Sequence, residues 1–139
     1  MSISYKNEIP TIEELEELYQ SVGWENYGNG LDKLQAYKNS LCVLCAREEG
    51  KLVGVVRVVG DGVSIIYVQD VIVHPKYQRN GIGKAMFQKM EMLFEDVYQK
   101  VLITDNLKER KDFYKSLGYS TISENHCCTF IKVNLEKKR

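Results

Sequence analysis

The chain has no net charge: its nineteen Lys and Arg residues are cancelled by nineteen Asp and Glu. Without an overall field it cannot gather nucleic acid or an anionic membrane surface from a distance, so any anion site must be local. Long hydrophobic runs are missing as well. None approaches the ~20 residues of a membrane span, and Met1-Ser2-Ile3-Ser4-Tyr5-Lys6 lacks the apolar stretch of a secretion signal. A cytoplasmic location is therefore expected. Internal repeats, low-complexity segments and interdomain linkers are also absent. The 139 residues are thus expected to form one domain, burying roughly 65 to 70% of the unfolded surface around a single core.

Cysteine is present four times but without the spacing of a metal knuckle. Cys42 and Cys45 lie inside Leu41-Cys42-Val43-Leu44-Cys45-Ala46, which reads as a buried strand. Residues three apart on a strand point to opposite faces, as do neighbours such as Cys127 and Cys128. No metal or redox site is expected, and thiols of this core type suit a reducing compartment.

Residues 3 to 6 read as a short strand. In Pro10-Thr11-Ile12-Glu13-Glu14, Thr11 is the N-cap of a first helix and Glu14 reaches back as a capping box. Ile12, Leu15, Leu18, Tyr19 and Val22 form its apolar stripe. The stretch Gly23-Trp24-Glu25-Asn26-Tyr27-Gly28-Asn29-Gly30 breaks the helix and has two readings: a substrate-side lid, or a connection whose Trp24 packs on the core. A second helix is predicted over 31–39. Strands over 41–47, 52–59 and 64–73, joined by Glu48-Glu49-Gly50 and Gly60-Asp61-Gly62, give an antiparallel meander.

From Gly81, the apolar residues Ile82, Met86, Met90, Leu93, Phe94 and Val97 recur at helical spacing. A buried strand over 101–104 then follows, parallel to the previous strand through a right-handed crossover. Asp105 or Asn106 caps a further helix that stops at Gly118. Residues 120–123 and 126–135 read as a closing hairpin, with Cys127, Thr129, Ile131, Val133 and Leu135 on one face. The tail 136–139 is expected to fray.

The chemistry is concentrated between Gln69 and Ala85. Val71-Ile72-Val73 is a β-branched run halted by Pro75, followed by a polar turn, Gly81-Ile82-Gly83 and the helix. The first amides of a helix have no internal acceptor and the dipole is positive there, so an anion is welcome. Gly81 and Gly83 let a phosphate approach the backbone. Lys76, Arg79, Lys84 and Lys89 add local positive charge. A Walker loop is excluded, because Ala85 stands where its hydroxyl belongs and position 78 is not glycine. A dinucleotide fingerprint is excluded by Met86 in place of its third glycine.

What remains, Gln78-x-x-Gly81-x-Gly83 after a Val-x-His-Pro strand end, closely resembles the acyl-CoA loop of the GNAT superfamily of N-acetyltransferases. Phe113-Tyr114-Lys115-Ser116-Leu117-Gly118-Tyr119 resembles the family's second signature, and the order β-α-α-β-β-β-α-β-α-β-β matches its fold along the chain. The resemblance implies an α/β (α+β) architecture: a mixed, mostly antiparallel sheet with a splayed parallel pair and helices on both faces. It implies acetyl-CoA as co-substrate, with direct transfer in a ternary complex and neither metal nor covalent intermediate.

By the same resemblance, the backbone of Val71, Ile72 and Val73 pairs with the pantetheine arm. The N–H groups of Gln78, Arg79, Asn80, Gly81, Ile82, Gly83 and Lys84 hold the pyrophosphate. Asn106 either bonds the pantetheine amide or caps a helix. Tyr114 either protonates the leaving thiolate or packs. Asp70 is a base, an amine ligand or a structural hydrogen-bonding group. Alternation puts it on the side of Ile72 and His74, opposite Val71 and Val73, unless a bulge intervenes. Gln69, Tyr67 and Trp24 are candidates for the acceptor pocket, and His74 ends the strand. The expected acceptor is a small-molecule primary amine; a protein N-terminus or lysine, and a non-catalytic acyl-CoA-binding module, are the alternatives. The last strands offer an edge for a homodimer.

Overall fold

The computed structural model describes residues 1–24 and 30–134. The described residues divide into two compact units, one up to Leu102 and one from Ile103 onward. The first contains β1 (Ile3–Asn7), α1 (Ile12–Ser21), α2 (Gly30–Lys38), β2 (Cys42–Glu48), β3 (Lys51–Gly60), β4 (Ile65–Val73), α3 (Ile82–Leu93) and β5 (Gln99–Leu102). The second contains α4 (Lys108–Ser116) and a short 3-10 turn at Ser123–Asn125.

The sheet has the order β1-β2-β3-β4-β5. The first three pairings are antiparallel, and β4 runs parallel to β5. Glu49 and Gly50 both take positive φ, 47° and 85°, which turns β2 into β3 through a two-residue loop. At the β3–β4 turn the Asp61 carboxylate accepts from the amides of Val63, Ser64 and Ile65.

Both faces of the sheet are covered, so β3 is buried continuously over residues 52–56, while β4 alternates between buried Ile66, Val68, Asp70 and Ile72 and half-buried neighbours. On one face Leu15, Leu18 and Tyr19 of α1 and Tyr37 of α2 pack with Val43, Cys45, Val55 and Ile72. On the other, Met86, Phe87 and Met90 of α3 are fully buried. The Gly54 backbone lies so close to Met86 that a Cβ there would stand 2.9 Å from its terminal methyl. Cys42 and Cys45 are buried in β2, and burial pushes the Cys45 thiol up to about 12.

The predicted start of α1 is realised. Thr11 Oγ1 accepts from the Glu14 amide at 3.1 Å, and Glu14 Oε1 accepts from the Thr11 amide at 3.0 Å. Arg47 on β2 then binds Glu14 and Glu8, tying the helix end to the sheet.

Two helices stop in the same way. Tyr19-Gln20-Ser21-Val22-Gly23-Trp24 and Tyr114-Lys115-Ser116-Leu117-Gly118-Tyr119 follow one pattern, and each builds a Schellman cap. Trp24 N–H donates to Tyr19 O and Gly23 N–H to Gln20 O; Tyr119 N–H donates to Tyr114 O and Gly118 N–H to Lys115 O. Gly23 and Gly118 take φ of 82° and 94°. Ser21 and Ser116 each donate 2.6 Å back to a helix carbonyl.

Three expectations are corrected. The fifth strand lies at Gln99–Leu102 instead of 101–104. The N-cap of α4 is Leu107, with no side-chain bond, so neither Asp105 nor Asn106 caps it. The closing hairpin does not form: among the described residues no strand follows Leu102, and Phe130 and Ile131 are 93% and 71% exposed. An alternating apolar pattern becomes a strand only beside another whose main-chain groups it can satisfy, and here none pairs with it. The lid reading of 23–30 falls largely on 25–29, which lie outside the described residues, as does the tail.

Candidate active site

The organising stretch begins on β4 and is shaped by a register shift. Asp70 lies opposite Arg57, but Val68 lies opposite Val58, which leaves Gln69 as the extra residue of a β-bulge. Directly opposed residues share a face, so Tyr67, opposite Val59, points to the same side as Asp70, opposite Arg57. Strict alternation would have separated them. Downstream the alternation holds, and Asp70 and Ile72 are both buried toward α1 and α2.

The same bulge marks where β4 and β5 part. β5 accompanies β4 only from Ile65 to Val68. Beyond it, among the described residues, β4 has a strand neighbour on the β3 side alone. The His74 amide donates to Val53 O at 2.8 Å, which makes Val73 and Gly54 a non-hydrogen-bonded pair, and Val71 and Val56 another. The N–H and C=O of Val71 and Val73 therefore point to the open side, whereas the polar backbone of Ile72 is engaged with β3. One group is already taken: Gln78 Nε2 donates to Val73 O at 2.9 Å.

His74 ends the strand. Its Nδ1 accepts from the Lys76 amide, and burial with the nearby Lys51 and Lys76 holds the imidazole below its usual range, so it is neutral at pH 7. The loop is then fixed from within: Asn80 Nδ2 donates to Tyr77 O and Gln78 O, and the Tyr77 hydroxyl donates to Glu48. Arg79 takes φ 65° and Gly81 φ 76°. The former is an uncommon conformation for a residue with a side chain, of the kind concentrated at functional loops.

Gly81 is the N-cap of α3, with no side chain capping the helix. The first intrahelical donor is Ala85, to Gly81 O at 2.9 Å, so the amides of Ile82, Gly83 and Lys84 have no acceptor within the helix. The two glycines differ. Gly81 is required by its positive φ. Gly83 has ordinary helical φ, and a Cβ there would meet only Val73 Cγ2 at 3.5 Å, an ordinary contact. Nothing in the fold demands its bare backbone. A diphosphate lying against these amides would, and in this respect the loop fits the acyl carrier.

Asp70 is the one buried charged residue among the described residues, 2% exposed. Its Oδ2 accepts from Arg57 Nε at 2.8 Å and from the Tyr19 hydroxyl at 3.0 Å. The Tyr19 and Tyr37 hydroxyls are 2.8 Å apart, and Arg57 reaches Ser40 Oγ. Asp70 Oδ1 is buried without a partner among the described residues. Burial first, then the neighbouring Tyr37 and Asp70, push the Tyr19 phenol far up; burial, then Asp70, does the same for Tyr37. Both phenols therefore remain hydrogen-bond donors.

Trp24 sits edge-on to Tyr19 with centroids 5.9 Å apart, and Lys33 Nζ lies 4.3 Å from the same ring's centroid. Tyr19, Tyr37 and Arg57 were not among the sequence-derived site residues. Tyr19 fell on an apolar helix stripe, and nothing in a lone arginine within a valine-rich strand announces its partner.

In the second unit, Tyr114 is half-buried on α4 between Phe113 and Tyr119, with centroids 5.0 and 6.4 Å away. Burial raises its pKa. Its carbonyl and ring belong to the Schellman cap, so the packing role is present whatever else the phenol does. Asn106 is exposed on the approach to α4.

No group of three or more His, Cys, Asp or Glu among the described residues is placed to hold a metal ion. No helix among them is long and apolar enough to cross a membrane.

Comparison with known proteins bears on the same elements. Residues 39–121 match the acetyltransferase (GNAT) domain. A GNAT-family acetyltransferase of Streptococcus pneumoniae TIGR4 superposes with a TM-score of 0.86 at 34% identity, covering 96% of this chain and 99% of that one. An uncharacterized N-acetyltransferase, ycf52, of Pyropia yezoensis is 33% identical over 76% of this chain and 63% of its own length. The histone acetyltransferase TAP1 of Glycine max is 30% identical over 80% of this chain and 52% of its own. The chain thus spans between half and two thirds of these two curated relatives. With the matched domain covering the bulged strand, the glycine loop and the capped tyrosine helix, this chain belongs to the GNAT acetyltransferase family.

Proposed function

We propose that the protein transfers an acetyl group from acetyl-CoA to a primary amine of a small molecule, by direct attack within a ternary complex. The observation that carries the reading is the coincidence, in one stretch, of uncapped amides at the start of α3, a glycine at 83 that the fold does not require, and a strand edge at Val71 and Val73 left open by β5. The amides of 79–84 hold the pyrophosphate, the Gln78 amide already donating to Pro75 O, with Lys76, Arg79 and Lys84 adding charge. Val71, Val73 and Asn106 offer backbone and side-chain partners to the pantetheine amides. Asn106 is available for this because no cap occupies it. Acetyl-CoA supplies the activated thioester.

Two proton movements fall to the chain. An alkyl ammonium has a pKa near 10.4, so freeing the amine at pH 7 costs about 4 to 5 kcal/mol. Asp70 Oδ1 is the acceptor we assign, because Oδ2 is already engaged by Arg57 and Tyr19. Tyr114, kept protonated by burial, donates to the departing thiolate. Tyr67, on the face of Asp70, together with Gln69 and Trp24, lines the acceptor side.

The similarity to a histone acetyltransferase of Glycine max favours a second reading, acetylation of a protein lysine. CoA-thiol release measured across a panel of small amines and lysine peptides tests both. Turnover with small amines at kcat/KM above that for peptides supports the proposal. Turnover with peptides alone replaces it with the second reading, and binding without turnover would leave a CoA-binding module.

A further inference from the structure

Downstream of the bulge β4 reads Val71-Ile72-Val73, opposite Val56, Val55 and Gly54 of β3, and is apolar on both faces. In a half-exposed sheet, apolar alternation selects the pairing register, because a slip of one residue turns the buried set outward. In this segment a slip would exchange one β-branched residue for another. The hydrophobic pattern of 71–73 therefore does not by itself fix how this end of β4 lies on β3.

A single charged pair breaks the degeneracy. Arg57 and Asp70 are directly opposite each other, and the register shift falls immediately beside them, between Arg57 and Val58. Their side chains meet at 2.8 Å and are 12% and 1% exposed. Both helices of that face hold the pair: Tyr19 of α1 donates to Asp70, Tyr37 of α2 bonds Tyr19, and Ser40 after α2 accepts from Arg57. Buried ion pairs contribute little net stability against apolar residues of similar size, and their best-attested use is specifying register.

We propose that Arg57 and Asp70 are positioning residues that set the register of β4 and the place of its bulge. They thereby decide which main-chain groups face the open side. With the pair in place, the groups are those of Val71 and Val73. A slip by one residue would turn them to β3, present Ile72 instead, and displace the Val73 carbonyl from Gln78 at the start of the glycine loop. The inference rests on the reading that this edge and loop hold acetyl-CoA; Arg57 acts on it only through position, and Asp70 takes this role in addition to the one assigned to its Oδ1.

The test uses the full chain with both charges replaced by apolar groups of similar volume, Arg57→Met with Asp70→Leu, and the conservative Arg57→Lys alone. Binding of CoA is the functional readout, since it needs no proton acceptor. Amide hydrogen exchange in the free protein is the structural one. In the parent, Ile72 should be protected and Val71 and Val73 should exchange fast. The double variant is expected to keep or raise Tm, to lose that 71/72/73 contrast, and to bind CoA about tenfold or more weakly. Arg57→Lys should retain the contrast and stay within about threefold in affinity.

A stable double variant with the parental exchange pattern and affinity would overturn the proposal. So would an unfolded one, because the pair would then serve stability rather than register. A parent that binds no CoA would instead sink the underlying functional reading, and the exchange pattern would still judge the register.

Discussion

At the scale of single residues, Gly81 and Gly83 look alike in sequence and do different work. Gly81→Ala places a side chain at φ 76°, and denaturant unfolding should show a loss of about 1 to 2 kcal/mol. Gly83→Ala sits at ordinary φ with room for its methyl, so stability should hold or rise by up to about 1 kcal/mol, while affinity for CoA falls. If Gly83→Ala bound as well as the parent, the bare backbone at 83 would have no ligand to serve. Tyr114→Phe is expected to lower kcat by about tenfold or more with little change in stability; a loss under about threefold, or roughly 0.7 kcal/mol, would remove the acid role.

These positions were visible in the sequence because the motif names them. Their chemistry was less so. The burial of Asp70 and its orphaned Oδ1 depend on Arg57, 13 residues back, and Tyr19, 51 residues back, and local pattern does not report such separations.

At the scale of elements, the stop signals of α1 and α4 are one device used twice. Gly23→Ala and Gly118→Ala should each cost about 1 to 2 kcal/mol of stability by the same left-handed penalty. Thr11→Ala should cost about 1 kcal/mol through the lost capping box. Equal losses for the two glycines would show that the caps are equivalent. A negligible loss at 118 alone would mean that the second aromatic hexapeptide is there for something other than ending a helix.

Capping boxes, glycine stops and the antiparallel meander were legible because their signals lie within a few residues. The end of β5 and the absence of the closing hairpin were not. Both turn on whether a neighbouring strand is present to complete a ladder, and residues 126–134 carry the pattern of a strand without having one beside them.

At the scale of the whole molecule, the order of elements placed the chain correctly: a mixed sheet, antiparallel but for β4 and β5, with α1 and α2 on one face and α3 on the other. The sequence reading allowed for a bulge at Asp70 but not for its two effects, swinging Tyr67 to the face of Asp70 and falling where β5 leaves β4. A ligand bound along the open edge of β4 stabilises the folded state by mass action. Acetyl-CoA at about 100 times its Kd should add about 2.7 kcal/mol and raise Tm accordingly, measured by calorimetry with and without the carrier. Free adenine nucleotide lacking the pantetheine arm should stabilise less, because it leaves Val71 and Val73 unpaired.

The account turns on main-chain donors at the loop between β4 and α3 holding a diphosphate. Titration of acetyl-CoA into labelled protein, followed through the backbone amide resonances, tests this most directly. The largest, saturable shifts should fall on Arg79 through Lys84, with Val71 and Val73 following. Saturation that leaves those amides unmoved, or no saturation at all, would contradict it.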